Sequence, residues 1–305
     1  MSKPLRKQLV QGIPRRHSAT GGYTIIEVMI FLAVTGVLLV SALYVFSGRQ
    51  GRTQFTQGVQ EASSKIRDVM NEVSSGYFQS NGDFTCQASA SGPTFPSGQQ
   101  TNLGQNTDCI FIGKIVQLGP LQDACDASGQ NLSNCNDYTV FTIVGLRQTT
   151  TVNGKQEVTS LAAAKPVLPH TNPNLSYTNE LPWQIHATSM WAVYDDTVTP
   201  IGAFGFVTTF PGAGGNDDLV SGSQSFDLIT VANTSLGESN DTIASRVSDA
   251  ATFNDTLRSP NQVIICLESG TTSPARPAAI TIGGSGRQLS TETFFDAAVP
   301  EVCNS

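Results

Sequence analysis

An apolar segment near the N-terminus constrains this 305-residue chain more than any other feature. Residues 23–46, YTIIEVMIFLAVTGVLLVSALYVF, contain a single charged side chain, Glu27. Because a helix rises about 1.5 Å per residue, this stretch is long enough to cross the hydrocarbon core of a bilayer. It is longer than the apolar core of a secretory signal peptide, and no fitting small-residue cleavage site follows it. The sequence therefore predicts a membrane-spanning helix at residues 23–46.

The charges on the two sides of this segment predict its orientation. Residues 1–22 hold five cations and no acid, which leaves twelve cations against all 24 acids in the remainder. A basic flank stays on the cytoplasmic side, so residues 78–305 are expected outside the membrane. The acidic balance of that outer part argues against general binding of nucleic acid, since no basic field attracts phosphate.

Glu27 is the feature that a plain membrane anchor does not explain. An ionisable group inside a span costs several kcal/mol unless it finds a partner, so it indicates a function. If the chain were cut between Gly22 and Tyr23, the new ammonium would lie one helical turn from Glu27. The same ammonium on a neighbouring helix could pair with this carboxylate and set the stagger between subunits. This hypothesis makes Glu27 a device for assembly.

The stretch GYTIIEV, residues 22–28, resembles the class III leader of type IV prepilins and pseudopilins. In that family a membrane prepilin peptidase cuts after the glycine and methylates the new amine, and a glutamate at the fifth mature position registers subunits. The resemblance implies that residues 1–22 are removed after Gly22, that Tyr23 is N-methylated and that Glu27 directs assembly. Tyr23 replaces the usual phenylalanine, a conservative departure.

The resemblance covers residues 15 to about 77 and also implies partners and a location. The partners are the prepilin peptidase, other pilin subunits and an inner-membrane assembly platform. The chain would reside in the cytoplasmic membrane with its N-terminus inside, and later in an extracellular pilus or pseudopilus. Two alternatives stay open: a pseudopilin of a type II secretion system, and an uncleaved single-span anchor that carries a binding domain.

Residues 47–77 have the pattern of an amphipathic helix. Apolar residues recur there at steps of three and four, which places them on one face. They are Phe55, Val59, Ala62, Ile66, Val69, Met70, Val73 and Tyr77. We expect this helix to continue the spanning helix and to lay its apolar face on a sheet, as in pilins. The alternative is an independent surface helix that follows a break at residues 47–51.

Residues 78–305 predict a β-rich extracellular head. Short apolar or alternating runs lie between turn signals, as in half-buried strands. The predicted strands are residues 109–118, 138–146, 185–194, 201–210, 225–231, 262–268 and 278–282. The expected class is α+β, with one long helix packed on an antiparallel sheet in a pilin-like arrangement. The size of the head favours a minor pilin, displayed for adhesion, motility or DNA uptake.

The six cysteines predict disulfides. None forms a CxxC pair and no histidine lies at a zinc-ligand spacing from them, so we expect no metal. An even number beyond an anchor indicates an oxidising compartment. Of the 15 pairings that six cysteines allow, proximity in sequence favours Cys86 with Cys109, Cys125 with Cys135, and Cys266 with Cys303.

One glycine-rich stretch, ITIGGSGRQLS at residues 280–290, loosely resembles the end of minor pilins and pseudopilins of the GspH/FimT type. In some competence pilins of that group, arginines near this point contact DNA. Arg287 is therefore a candidate DNA contact, with Arg276 upstream, and a solvated turn residue is the alternative. The acidic head favours the alternative.

No pattern of catalytic residues is found in the sequence, and we expect neither an enzyme nor a cofactor. His170 and His186 are not spaced as metal ligands. The acidic residues Asp217, Asp218 and Asp227 match no calcium-loop spacing, so solvated loop carboxylates are the simpler interpretation. The tryptophans Trp183 and Trp191 are candidates for adhesive contacts or for core packing.

Overall fold

A computed structural model gives the fold of the chain. It describes residues 22–76, 85–96, 108–119, 136–151, 154–195, 197–208, 226–232, 234–249, 257–270, 275–283 and 289–304. Residues 1–21 of the predicted leader lie outside these ranges, as do Tyr77, Cys125, Cys135, Asp217, Asp218 and Arg287. The chain divides into two compact units, Met1–Arg49 and Gln50–Ser305.

Helix α1 runs from Ile25 to Ser75 and passes through residues 47–51 without a break. It begins after Thr24, whose carbonyl accepts a hydrogen bond from Val28 N at 3.2 Å. It ends at Ser75, and the next residue, Gly76, has a φ of 65° and donates to the carbonyl of Val73. Glycine adopts this left-handed conformation without the steric penalty of a Cβ, and it commonly ends helices. The sequence analysis placed the end of the helix at Tyr77, beyond this glycine.

Fifteen strands follow α1 within the described ranges, together with one more α-helix and three short 3-10 helices. The strands are β1 Gln87–Ser89, β2 Gly92–Thr94, β3 Cys109–Leu118, β4 Asp137–Leu146, β5 Gln148–Thr151, β6 Gly154–Glu157, β7 Ser176–Glu180, β8 Ile185–Tyr194, β9 Thr197–Pro200, β10 Ala203–Thr208, β11 Phe226–Val231, β12 Leu257–Arg258, β13 Gln262–Ser269, β14 Pro277–Gly283 and β15 Ser290–Phe295. Helix α2, Asn240–Ser248, lies between β11 and β12.

Two large antiparallel sheets form the framework. The six-stranded sheet has the order β12-β11-β10-β3-β4-β7, and the five-stranded sheet has the order β15-β14-β13-β8-β9. The short pairs β1-β2 and β5-β6 are separate hairpins. The α+β class is therefore confirmed, and all of the predicted strands are present with small shifts at their ends. The sequence analysis expected a single sheet under the helix and did not anticipate two.

The main core lies between α1 and the inner faces of both sheets. On α1, Phe55, Val59, Ile66 and Val73 are at most 5% exposed. They share one apolar cluster with residues of the six-stranded sheet, such as Phe206, and of the five-stranded sheet. The apolar face predicted from sequence is thus the buried face, and both sheets contact it.

Two further clusters cover the outer faces of the sheets. Helix α2 packs Ile243, Ala244 and Val247 against the six-stranded sheet. Its first turn is capped by Ser239, whose hydroxyl accepts a hydrogen bond from Thr242 N at 3.1 Å. The C-terminal residues, with Val299 at their centre, cover part of the five-stranded sheet.

Candidate functional site

Glu27 lies in the first turn of α1. The hydroxyl of Thr24 accepts a hydrogen bond from the backbone N–H of Glu27 at 3.3 Å. Thr24 and Glu27 therefore have the spacing of a capping box, Thr-x-x-Glu. A carboxylate in the first turn also lies at the positive end of the helix dipole. The Glu27 side chain thus lies where the helix dipole favours a negative charge, a placement that the sequence analysis did not consider.

The apolar part of α1 that follows is exposed among the residues that the structure describes. The segment Ile25–Leu43 has a mean hydropathy of 2.5, and none of it is buried. The hydroxyls of Thr35 and Ser41 donate to the carbonyls of Phe31 and Val37, each at 2.8 Å, so these polar groups are satisfied inside the helix. The segment is long and apolar enough to span a membrane. Its exposed surface requires lipid or other protein as a partner.

The residues at the proposed cut are accessible. Gly22 is exposed and has no atom within 4 Å of the position that a Cβ would occupy. Tyr23 is 79% exposed. Both precede the first helical residue, Ile25, so the bond between them lies in extended or irregular chain. A peptidase needs its substrate in such a conformation.

The C-terminal half of α1 is held on the six-stranded sheet by a buried ion pair. Lys114 on β3 is completely buried, and its ammonium donates to the carboxylate of Glu72, whose side chain is 23% exposed. The ammonium also lies 5.5 Å from the centre of the Tyr177 ring. Burial, and after it the Glu72 charge, raise the pKa of Tyr177 well above its usual value. This pair fixes the position of α1 along β3.

A second polar contact holds α1 on the five-stranded sheet. Arg67 Nε donates to the hydroxyl of Thr291 on β15 at 2.6 Å, and Arg67 Nη2 donates to the hydroxyl of Ser63 at 3.2 Å. Ser63 is fully buried. Nearby, the rings of Phe55 and Phe295 meet edge to face with centroids 6.4 Å apart. The six-stranded sheet therefore contacts α1 through an ion pair, and the five-stranded sheet contacts it through hydrogen bonds and an aromatic pair.

A loop between β7 and β8 approaches α1 closely at Gly58. A Cβ at Gly58 would lie 2.3 Å from Ile185 Cδ1 and 3.1 Å from Trp183 Cδ1. Trp183 and the next residue, Gln184, both have left-handed backbone angles, with φ of 59° and 54°. Trp183 is nevertheless 46% exposed. The sequence does not reveal this conformation, since neither residue type favours it.

Two of the three predicted disulfides are present, and the third lies outside the described residues. Cys86 bonds to Cys109 at the start of β3, across 23 residues. Cys266 in β13 bonds to Cys303 near the C-terminus, across 37 residues. The second bond ties the chain end to a central strand of the five-stranded sheet.

The other residues considered as candidates in the sequence analysis contact neighbouring side chains of the head. Arg276 pairs with Asp296, so it is engaged within the head. His170 Nε2 lies 2.6 Å from Asp241 Oδ1 at the start of α2, and His186 lies opposite a glutamate on β13. Trp191 is half-buried and packs on the C-terminal cluster, which agrees with the core role considered for it.

Burial raises the pKa of Asp227, and no other group in the described ranges completes a metal site around it.

Comparisons of the chain with protein-family models, with curated proteins and with solved structures gave no match.

Proposed function

We propose that the chain is a subunit of a type IV pilus or a related filament, in the role of a minor pilin. One observation carries the proposal most: α1 begins three residues after Gly22 and exposes the whole apolar segment Ile25–Leu43, with Glu27 as its one charge. Such a helix suits two environments in turn, lipid before assembly and neighbouring helices after it. The resemblance of residues 22–28 to the class III leader supports the same function.

The proposed path starts in the cytoplasmic membrane. Prepilin peptidase cuts after Gly22 and methylates Tyr23, and the assembly platform then moves the helix into the filament. The new ammonium of a neighbouring subunit neutralises Glu27 as the helices pack. Because an unpaired charge costs several kcal/mol in an apolar environment, the pairing favours one stagger over others.

The capping box provides a sharp test, since it separates two roles of Glu27. Glutamine also suits this position of a capping box, and it removes the charge. Glu27→Gln should therefore be cut normally but be lost from filaments sheared from the cell surface. The matched control, Thr24→Ala, removes the cap and keeps the charge, so it should still assemble.

The amounts of processed chain in membranes and in sheared filaments are measured for both variants. Normal assembly of Glu27→Gln would contradict charge pairing. Loss of assembly in Thr24→Ala alone would assign Glu27 to helix capping. A chain that is never cut would leave only an anchored binding protein. Processed chain confined to the membrane fraction would favour the pseudopilin of a secretion system.

A further inference from the structure

The side chain of Trp183 is unusually exposed for its size. From Gln50 onward, Trp183 and Val198 are the large apolar side chains in the described ranges with nearly half of their surface exposed, at 46% and 48%. Single exposed valines on an edge strand need no explanation. An indole carries far more apolar surface, and tryptophan is enriched at the energetic centres of protein interfaces.

The backbone at Trp183 is strained, and the residues that follow it are held by burial and hydrogen bonding. Trp183 has φ 59° and ψ 31°, and Gln184 also has a positive φ. Residues other than glycine, asparagine and aspartate rarely adopt this region, and such outliers concentrate at functional sites. Ile185, which is fully buried, follows the strained pair. The N–H of Gly270 donates to the Gln184 carbonyl at 3.1 Å.

Leu181 holds the other end of the loop. It is 4% exposed, and its carbonyl accepts a hydrogen bond from Asn136 Nδ2 at 3.2 Å. The loop is therefore fixed at both ends, and it holds the indole beside Gly58 of α1 with nearly half of the Trp183 surface exposed. A chain under selection for stability alone would place glycine or asparagine at residue 183.

The position of this indole indicates its partner. Trp183 lies at the flank of α1 beside Gly58, where the missing side chain allows the close approach. A second helix that packed along α1 on this side would meet the indole. Exposed Glu61, one turn from Gly58, and the acidic balance of the chain beyond residue 22 disfavour an anionic membrane surface. The chain itself carries the matching chemistry, the uncovered apolar segment Ile25–Leu43.

We propose that the Trp183 side chain, in the head of one subunit, packs against the apolar N-terminal helix of a neighbouring subunit. This inference rests on the proposed function, because it requires a filament. It adds a contact made by the head to the packing between helices. The strained loop holds the indole in place before assembly. Less conformational entropy is therefore lost when the neighbouring helix binds.

The first experiment separates stability from assembly. Trp183→Asn keeps a residue that tolerates the left-handed conformation and removes the indole. Full-length chain in detergent should unfold at the same or a higher urea concentration than wild type, while the amount in sheared filaments falls about tenfold or more. The control, Val198→Asn, removes a side chain of equal fractional exposure and should change neither quantity.

The second experiment identifies the partner directly. A photo-crosslinking phenylalanine derivative replaces Trp183 in one strain and Val198 in another, and mass spectrometry identifies the captured peptides. At position 183 we expect a peptide from the apolar N-terminal helix of a subunit, and at position 198 we expect none. Capture of lipid, of a different peptide, or of nothing would overturn the inference.

The outcomes also separate the inference from the function on which it rests. If wild-type chain forms filaments and Trp183→Asn assembles equally well, the inference alone fails. If Trp183→Asn unfolds at a clearly lower urea concentration, Trp183 is a packing residue and the inference fails. If wild-type chain forms no filament, the proposed function fails and the inference fails with it.

Discussion

The buried ion pair between Glu72 and Lys114 gives an asymmetric prediction. Lys114 has no exposed surface, whereas Glu72 is 23% exposed. Glu72→Ala leaves an ammonium without its counter-charge in the core, which should lower the free energy of unfolding by about 3–5 kcal/mol. Lys114→Met leaves a carboxylate that still reaches solvent, and methionine fills the space of the lysine stem. Its cost should be clearly smaller.

Replacing both residues tests the same reasoning further. The double variant Glu72→Ala with Lys114→Met removes both charges, so it should recover most of the stability lost in Glu72→Ala. Urea unfolding of the full chain in detergent, followed by circular dichroism, measures all three variants. Lys155→Ala is the control, because Lys155 and Asp108 form a largely exposed pair at 3.9 Å. It should cost less than about 1 kcal/mol.

Two results would refute this account of the ion pair. One is a loss below about 1 kcal/mol in Glu72→Ala, which would place the pair among weak surface contacts. The other is a greater loss in Lys114→Met than in Glu72→Ala. That order would mean that the lysine contributes through its packing and its contact with Tyr177 and not through the charge pair.

Three further predictions follow from packing, titration and cross-linking. Gly58→Ala should destabilise the chain by about 1–3 kcal/mol in urea unfolding, because the new Cβ would meet buried Ile185. Gly36→Ala, which meets no atom within 4 Å, should not lower stability. Because burial raises the pKa of Tyr177 in the folded chain above its ordinary value of 10.0, the unfolded chain loses its proton first, so stability should fall above about pH 10. Urea midpoints across that range, beside tyrosinate absorbance, would show it, and a flat profile would contradict it. Cys303→Ser should lower stability by about 2–4 kcal/mol in unfolding without reductant, and no change would mean that this bond constrains the unfolded chain little.

Sequence predicts the elements whose pattern is local. The apolar face of α1 follows helical periodicity, and strands such as β3 and β13 have long apolar runs that few other structures accommodate. The edge strand β15, with the sequence STETFF, was not predicted because four of its six residues are polar and none of the six is buried. Helix α2 was not predicted because it is short and buries only three residues.

Contacts between distant parts of the chain could not be predicted in the same way. Glu72 and Lys114 are 42 positions apart, and only the pairing of β3 with its neighbours brings the lysine under α1. A lone lysine inside the apolar run CIFIGKIVQL does signal a buried charge with a partner. The division into two sheets likewise depends on which strands pair with one another, and no local pattern in the sequence gives that pairing. The left-handed conformation of Trp183 has no local signal, since tryptophan does not favour a positive φ.

The start of the mature chain is the most direct test of the central claim. Intact-mass spectrometry and N-terminal sequencing would be applied to protein from membranes and from filaments sheared off the cell surface. The account predicts a chain that begins at N-methylated Tyr23 in the sheared fraction. A chain that still begins at Met1 in both fractions would contradict it and leave an anchored ectodomain.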